Sequence, residues 1–275
     1  MRCATRLTHT KVMNIIMTKA KKKNAVGFKL NKGLLKITRN WLRIALVVIG
    51  LYATLPFVAP VLMRVGATGP ATVLYTLYSP MCHQFSFRSI FLFGEQPFYP
   101  REIVGTDLRS YEAVAAETAG IHPGTSPTDF SPNFFLPARQ FRGNEQLGYK
   151  TTLCQRDVAI YLALFSGGLI YAIPAVRRRL RPIPLWMYVI IGLGPIGLDG
   201  FSQLLSYEPF SLWTVRETTP YFRLITGAIF GMMNAWLAFP YLEMSMRDTR
   251  QEIEENLAQY HTAQAKTLDT LSGVQ

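Results

Sequence analysis

Residues 44–63 read IALVVIGLYATLPFVAPVLM, twenty positions without a charge. About 20 helical residues cross the roughly 30 Å hydrocarbon core of a bilayer, so this stretch predicts a membrane-spanning helix. Three further runs resemble it: Val158–Val176, Ile183–Leu205 (interrupted by Asp199), and Leu224–Leu242. A buried helix of a soluble protein can imitate one such run, but four in a chain of 275 residues predict an all-α, polytopic membrane protein. The expected fold is a four-helix transmembrane bundle with an irregular extracytoplasmic loop. Composition agrees, with hydrophobic residues at 49% and charged residues at 17%, against about 25% charged in soluble domains.

The net charge of +12 is concentrated at one end. Residues 1–43 hold twelve Lys and Arg and no Asp or Glu, and the remainder sums to zero. That excludes a uniformly basic nucleic-acid-binding domain, and no nucleic acid is expected among the partners. Three cysteines exclude a disulfide-dense secreted scaffold. Residues 1–40 read as a flexible basic arm, residues 41–242 as the membrane domain, and residues 243–275 as a helical tail.

Basic residues orient the spans. The cluster Lys19–Lys23 and Lys29, Lys32, Lys36, Arg39 and Arg43 precede the first run. Arg177, Arg178, Arg179 and Arg181 fill the turn between the second and third runs. With four spans these positions share one side with the tail, which predicts cytoplasmic termini in the cell (inner) membrane. Residues 66–153 then face outward, with six basic and seven acidic residues. Trp41, Trp186, Trp213 and Trp236 lie near expected span ends, as interfacial anchors do. Within the loop, Asp107–Ala119 reads as a helix capped by Thr106 or Asp107. Pro132 and Pro137 predict an extended Phe130–Leu136, and Phe134, Phe135 and Phe141 predict a loop packed on the bundle. The tail is acidic and the arm basic, so the two are candidates to pair.

This topology places the unusual polar residues at one depth. Cys82 and His83 belong to the loop, and Cys154, Arg156 and Asp157 begin the second span. Asp199 and Gln203 end the third, and Arg223 and Thr226 begin the fourth. Ionisable groups at such positions are costly to bury and mark functional sites. Arg156, Asp157, Asp199, Gln203, Arg223 and Thr226 are candidate pocket residues, with arginines suited to phosphate or carboxylate; the charges also suit structural pairs. Cys82, His83, Cys154 and Asp157 are candidate ligands for zinc, although adjacent Cys and His both reach one ion only if the backbone turns sharply. A disulfide between Cys82 and Cys154 and a pair of free thiols are the other two readings. No serine-centred triad or nucleotide loop occurs. Gly192–Leu198 lies in a span without a preceding strand, so it suits helix packing and a bend at Pro195.

Four ordered motifs carry a family resemblance: Cys82-His83-Gln84 followed by Arg88-Ser89; Cys154-x-Arg156 with Ile160-Tyr161; Pro195 with Leu198-Asp199-Gly200 and Gln203; and Arg223 with Thr226-Gly227 and Gly231. Together they resemble the DUF2085 family of predicted bacterial and archaeal membrane proteins, over roughly residues 44–242. The resemblance implies a membrane fold and a functional role for the outer polar cluster. Asp157 stands where the family pattern has a second cysteine. The interval from Cys82 to Cys154 is longer than the family's, so residues 94–148 read as an insertion. That insertion, with the arm and tail, favours an accessory or structural subunit of a larger membrane complex, with membrane lipid and membrane proteins as partners. The alternative is a small membrane enzyme or a lipid- or anion-binding protein with an outer-leaflet polar pocket, with or without a metal.

Overall fold

The computed structural model describes residues 2–118, 121, 123–126 and 128–272, with side chains described between Gly27 and Thr262. Its first apolar run lies inside α1 (Arg2–Arg64), which contains Pro56 and Pro60. A helical proline has no N–H to offer the carbonyl four residues earlier. At Pro56 that carbonyl belongs to Tyr52, and it accepts the Tyr78 hydroxyl at 2.8 Å instead. The partner comes from α2 (Thr68–Tyr78), which follows a turn at Gly66.

Three of the longer helices are α5 (Gln155–Ala172), α8 (Gly194–Leu204) and α9 (Pro220–Ser272). The short α6 (Pro174–Arg179) carries the basic turn. α7 (Leu185–Met187) leads into α8 through a wide turn, Tyr188–Leu193, making one rod from Leu185 to Leu204. The wide turn, in which Gly194 N–H bonds Val189 O, immediately precedes Pro195. It is one of the recognised ways for a helix to absorb a local break in its bonding ladder.

Glycine sets the helix spacing. A Cβ on Gly227 would stand 2.6 Å from the Arg156 carbonyl oxygen, and one on Gly231 would stand 2.2 Å from that of Ile160. The backbones of α5 and α9 therefore approach as small-residue pairs four apart allow. Further along, Gly167 meets Ala235, and Tyr171 stacks on Phe239 with centroids 5.8 Å apart. Residue numbers rise together, so α5 and α9 run parallel. Against α1 they run oppositely: Tyr52 meets Tyr161 at 4.4 Å, and Gly50 faces Phe165. α8 opposes α9, with the Tyr188 hydroxyl donating to Asn234 at 3.2 Å.

Among the described residues, three helices are long and apolar enough to cross a membrane: Gly27–Arg64, Leu185–Leu204 and Pro220–Thr262. Their apolar surface includes Val47, Leu198 and Ile225, each more than half exposed. These helices make the chain a multi-pass membrane protein in contact with lipid. Among the described residues α5 falls short of that length and apolarity because its first turn is Gln155, Arg156 and Asp157.

The irregular loop expected between the first two runs also needs correction, as does the all-α class. It contains α3 (Tyr111–Glu117), α4 (Pro132–Gln140) and an antiparallel sheet, β1 (Ser89–Leu92), β2 (Gly143–Asn144) and β3 (Gly148–Cys154), in the order β1-β3-β2. Ser110, not Thr106 or Asp107, caps α3 by accepting Ala113 N–H at 3.2 Å. Pro132 starts α4 rather than holding the chain extended, because the first helical turn needs no donor there. Phe85, Phe87, Phe91, Tyr99, Tyr111 and Phe134 form a core of the loop's own.

Residues 45–240 form one compact unit, and residues 1–44 with 241–275 form a second. In the second unit the basic segment is helical, and described side chains between Phe28 and Trp41 meet the tail. Arg39 bonds Glu254 at 2.8 Å, and Phe28 stacks on Tyr260 at 4.9 Å. Trp41 is buried and donates to Glu243 at 2.8 Å, so it is not an exposed interfacial anchor.

Candidate metal centre

The sheet explains how distant cysteines meet. Ser89 on β1 pairs with Cys154 at the end of β3. Cys82 therefore arrives beside Cys154 through the turn Ser79–Phe85 and the single helical turn Ser86–Arg88. Gln84 adopts a left-handed backbone, φ 56°, which costs a non-glycine residue about 1–2 kcal/mol. Three contacts hold it there. Its amide donates to Cys82 Sγ at 3.4 Å, its side chain donates to Tyr75 O at 2.9 Å, and its carbonyl accepts Lys150 Nζ at 2.6 Å.

Cys82 Sγ also accepts the Cys154 amide at 3.2 Å. Two backbone donors on one sulfur suit a thiolate. The Cys154 thiol points to Asp157 Oδ2 at 3.0 Å, one helical turn along α5. Donor atoms of Cys82, Cys154 and Asp157 all lie within 4.8 Å of one another. Among the described residues Cys82 and Cys154 are free and stand 3.9 Å apart. The disulfide reading is thereby corrected, since an S–S bond needs about 2.05 Å. Two thiolates on a tetrahedral zinc ion, each about 2.3 Å from it, stand about 3.8 Å apart. The observed spacing matches that geometry. Hydrogen bonding with Cys154 and burial, reinforced by the charges of Cys154 and Asp157, push the Cys82 thiol far above its ordinary range. A divalent cation among the same three groups reverses that electrostatic cost.

His83 lies outside the donor group. It is exposed, and its ring stacks on Phe85 with centroids 5.4 Å apart. Consecutive residues in this turn face apart, which places Cys82 inward and His83 outward.

Two buried carboxylates organise the remaining polar residues. Asp199 receives Arg156, Thr218 Oγ1 at 2.6 Å, Arg216 at 3.2 Å and Gln203 at 3.4 Å. Glu217 receives Arg88, Arg223 and the Tyr207 hydroxyl, the last at 2.9 Å. Arg223 also bonds Gln203 Oε1 at 2.9 Å and links the two groups. Burial opposes the Glu217 charge, yet Arg88 and Arg223 outweigh it and hold the carboxyl at about 2. Thr226 returns its hydroxyl to Phe222 O in its own helix at 2.9 Å and stays outside this network. A cavity of about 350 Å³ is lined by Cys82, Cys154 and Asp157 together with Arg88, Arg156 and Arg223.

The sequence reading brought Arg156, Asp199, Gln203 and Arg223 together but missed Tyr207, Arg216, Glu217 and Thr218. These lie between α8 and α9. Their signal was the polar run Arg216-Glu217-Thr218-Thr219 directly before an apolar span, which on its own reads as an ordinary span flank.

The profile of a family described as "Predicted membrane protein (DUF2085)" matches residues 138–237. The match contains Cys154, Asp157 and both buried carboxylates, while Cys82 through Ser89 lie outside it. A protein of Methanocaldococcus jannaschii named "Uncharacterized protein MJ1492" is 32% identical over 99 residues, covering 35% of this chain and 57% of that protein. The chain thus spans little more than half of the curated relative it matches. No solved structure matches. Over residues 138–237 the chain is similar to this membrane-protein family.

Proposed function

We propose that this chain is a four-helix membrane protein that binds a divalent metal of zinc's class through Cys82, Cys154 and Asp157. The observation that carries this reading is the convergence of two thiols and a carboxylate, with two backbone amides directed at Cys82 Sγ. Three protein ligands leave tetrahedral zinc one open position, the arrangement used in catalytic rather than closed structural sites. The adjoining cavity gives that position access to a ligand. α5 is the fourth crossing element, supported by its parallel packing along α9. The basic residues of the arm and of Arg177–Arg181 support a topology with both termini in the cytoplasm and the metal centre outside the cell membrane.

The accessory-subunit reading rests on the basic arm, the acidic tail and the inserted loop, and the loop's aromatic residues fill a core of its own. Metal analysis of full-length protein, purified in mild detergent without chelator, tests the proposal. About one zinc per chain is expected, lost in Cys154→Ser and retained in His83→Ala. Equal metal content in wild type and a Cys82→Ser/Cys154→Ser double variant refutes it.

A further inference from the structure

Three arginines line the cavity, Arg88, Arg156 and Arg223, and each is paired with one of two buried carboxylates, Asp199 or Glu217. The hydrogen bonding is incomplete in the same place. The buried Nε–H groups of Arg88 and Arg156 find no acceptor among the described residues. Both arginines line the cavity beside the metal ligands, and leaving such donors unpaired is costly.

The donors also differ in origin. Arg88 closes the turn before β1, Arg156 lies in the first turn of α5, and Arg223 lies in the first turn of α9. A planar carboxylate would share two coplanar oxygens among the metal and the guanidiniums. A tetrahedral oxyanion has more, and arginine matches phosphate geometry. We infer that this cavity binds a phosphate-class oxyanion, either free phosphate or the phosphate of a lipid headgroup. One oxygen takes the open metal position, and others accept from Arg88 and Arg156. This rests on the metal reading above and names the ligand class of that same site.

Cobalt-loaded full-length protein tests it, because tetrahedral Co²⁺ with thiolate ligands has visible absorption that changes when its fourth ligand changes. Titration with inorganic phosphate should give a saturable spectral change that chloride does not give. Nanodiscs of phosphatidic acid, compared with phosphatidylcholine, form the second arm. A response to phosphatidic acid alone assigns the lipid source, and a response to inorganic phosphate alone assigns the free anion. Arg156→Lys keeps a cation beside Asp199 but removes the Nε–H. It should weaken the response about tenfold or more while cobalt stays bound. Cobalt binding with no spectral response in either arm overturns the oxyanion assignment and leaves the metal centre standing. Failure to retain cobalt overturns both. An unchanged response in Arg156→Lys overturns the role given to that arginine.

Discussion

Replacing Glu217 with glutamine removes one charge from a buried network without changing its size. Glu217 is 2% exposed at its side chain and pairs with Arg88 and Arg223. Its pKa falls from 4.5 to about 2 on folding. At 1.36 kcal/mol per pK unit, such a carboxylate contributes about 3 kcal/mol at neutral pH. Losing one member of a buried pair costs about 3–5 kcal/mol by a separate route, so the two figures agree. Because the folded pKa is the lower one, the contribution is complete above pH 4.5 and disappears as pH falls toward 2. At pH 3.5 about 2 kcal/mol should remain. Thermal unfolding of wild type and Glu217→Gln in the same detergent, at pH 7 and at pH 3.5, measures the difference. About 3 kcal/mol corresponds to a melting shift of roughly 6–12 °C for a chain this long. The gap should narrow at the lower pH. A gap under about 1 kcal/mol at pH 7, or one that widens on acidification, would refute the assignment of Glu217 as the anchor of Arg88 and Arg223.

Gly231→Val should cost about 1–3 kcal/mol in a thermal melt, because its Cβ would meet the Ile160 carbonyl oxygen at 2.2 Å. Gly197→Ala is the control: nothing lies within 4 Å of its Cβ, and its melting temperature should not fall. Burial pushes Lys150 down from 10.5 to about 7, with Cys82 opposing and Arg142 and Arg139 adding to the shift. The folded chain then binds fewer protons than the unfolded chain between pH 7 and 10.5, so stability rises with pH across that window. Lys150→Met should abolish the rise, read as melting temperature against pH.

What the sequence reveals differs from one element to the next. The apolar runs are legible because hydrocarbon demands a fixed length of uncharged helix, and three of them became span-length helices. α5 is less legible because its first turn serves the polar site. Arg156, Asp199, Gln203 and Arg223 could be placed together from topology alone, since alternating spans bring their ends to one face. Glu217 could not, because its role depends on the path of the connection after α8, which no periodicity encodes. The loop was misread for a related reason. β3 gains its pairing from β1, more than fifty residues earlier, and Pro132 reads as a breaker until its position at a helix start is known. The cysteines were placed near each other correctly, but the choice among metal, disulfide and free thiols needed the sulfur separation.

X-ray absorption at the zinc edge, on full-length protein purified with its metal, tests the central claim most directly. The account predicts two sulfur neighbours at about 2.3 Å and oxygen neighbours at about 2.0–2.2 Å, with sulfur scattering lost in Cys82→Ser/Cys154→Ser. A first shell of oxygen and nitrogen alone, or four sulfur neighbours from paired chains, would contradict it.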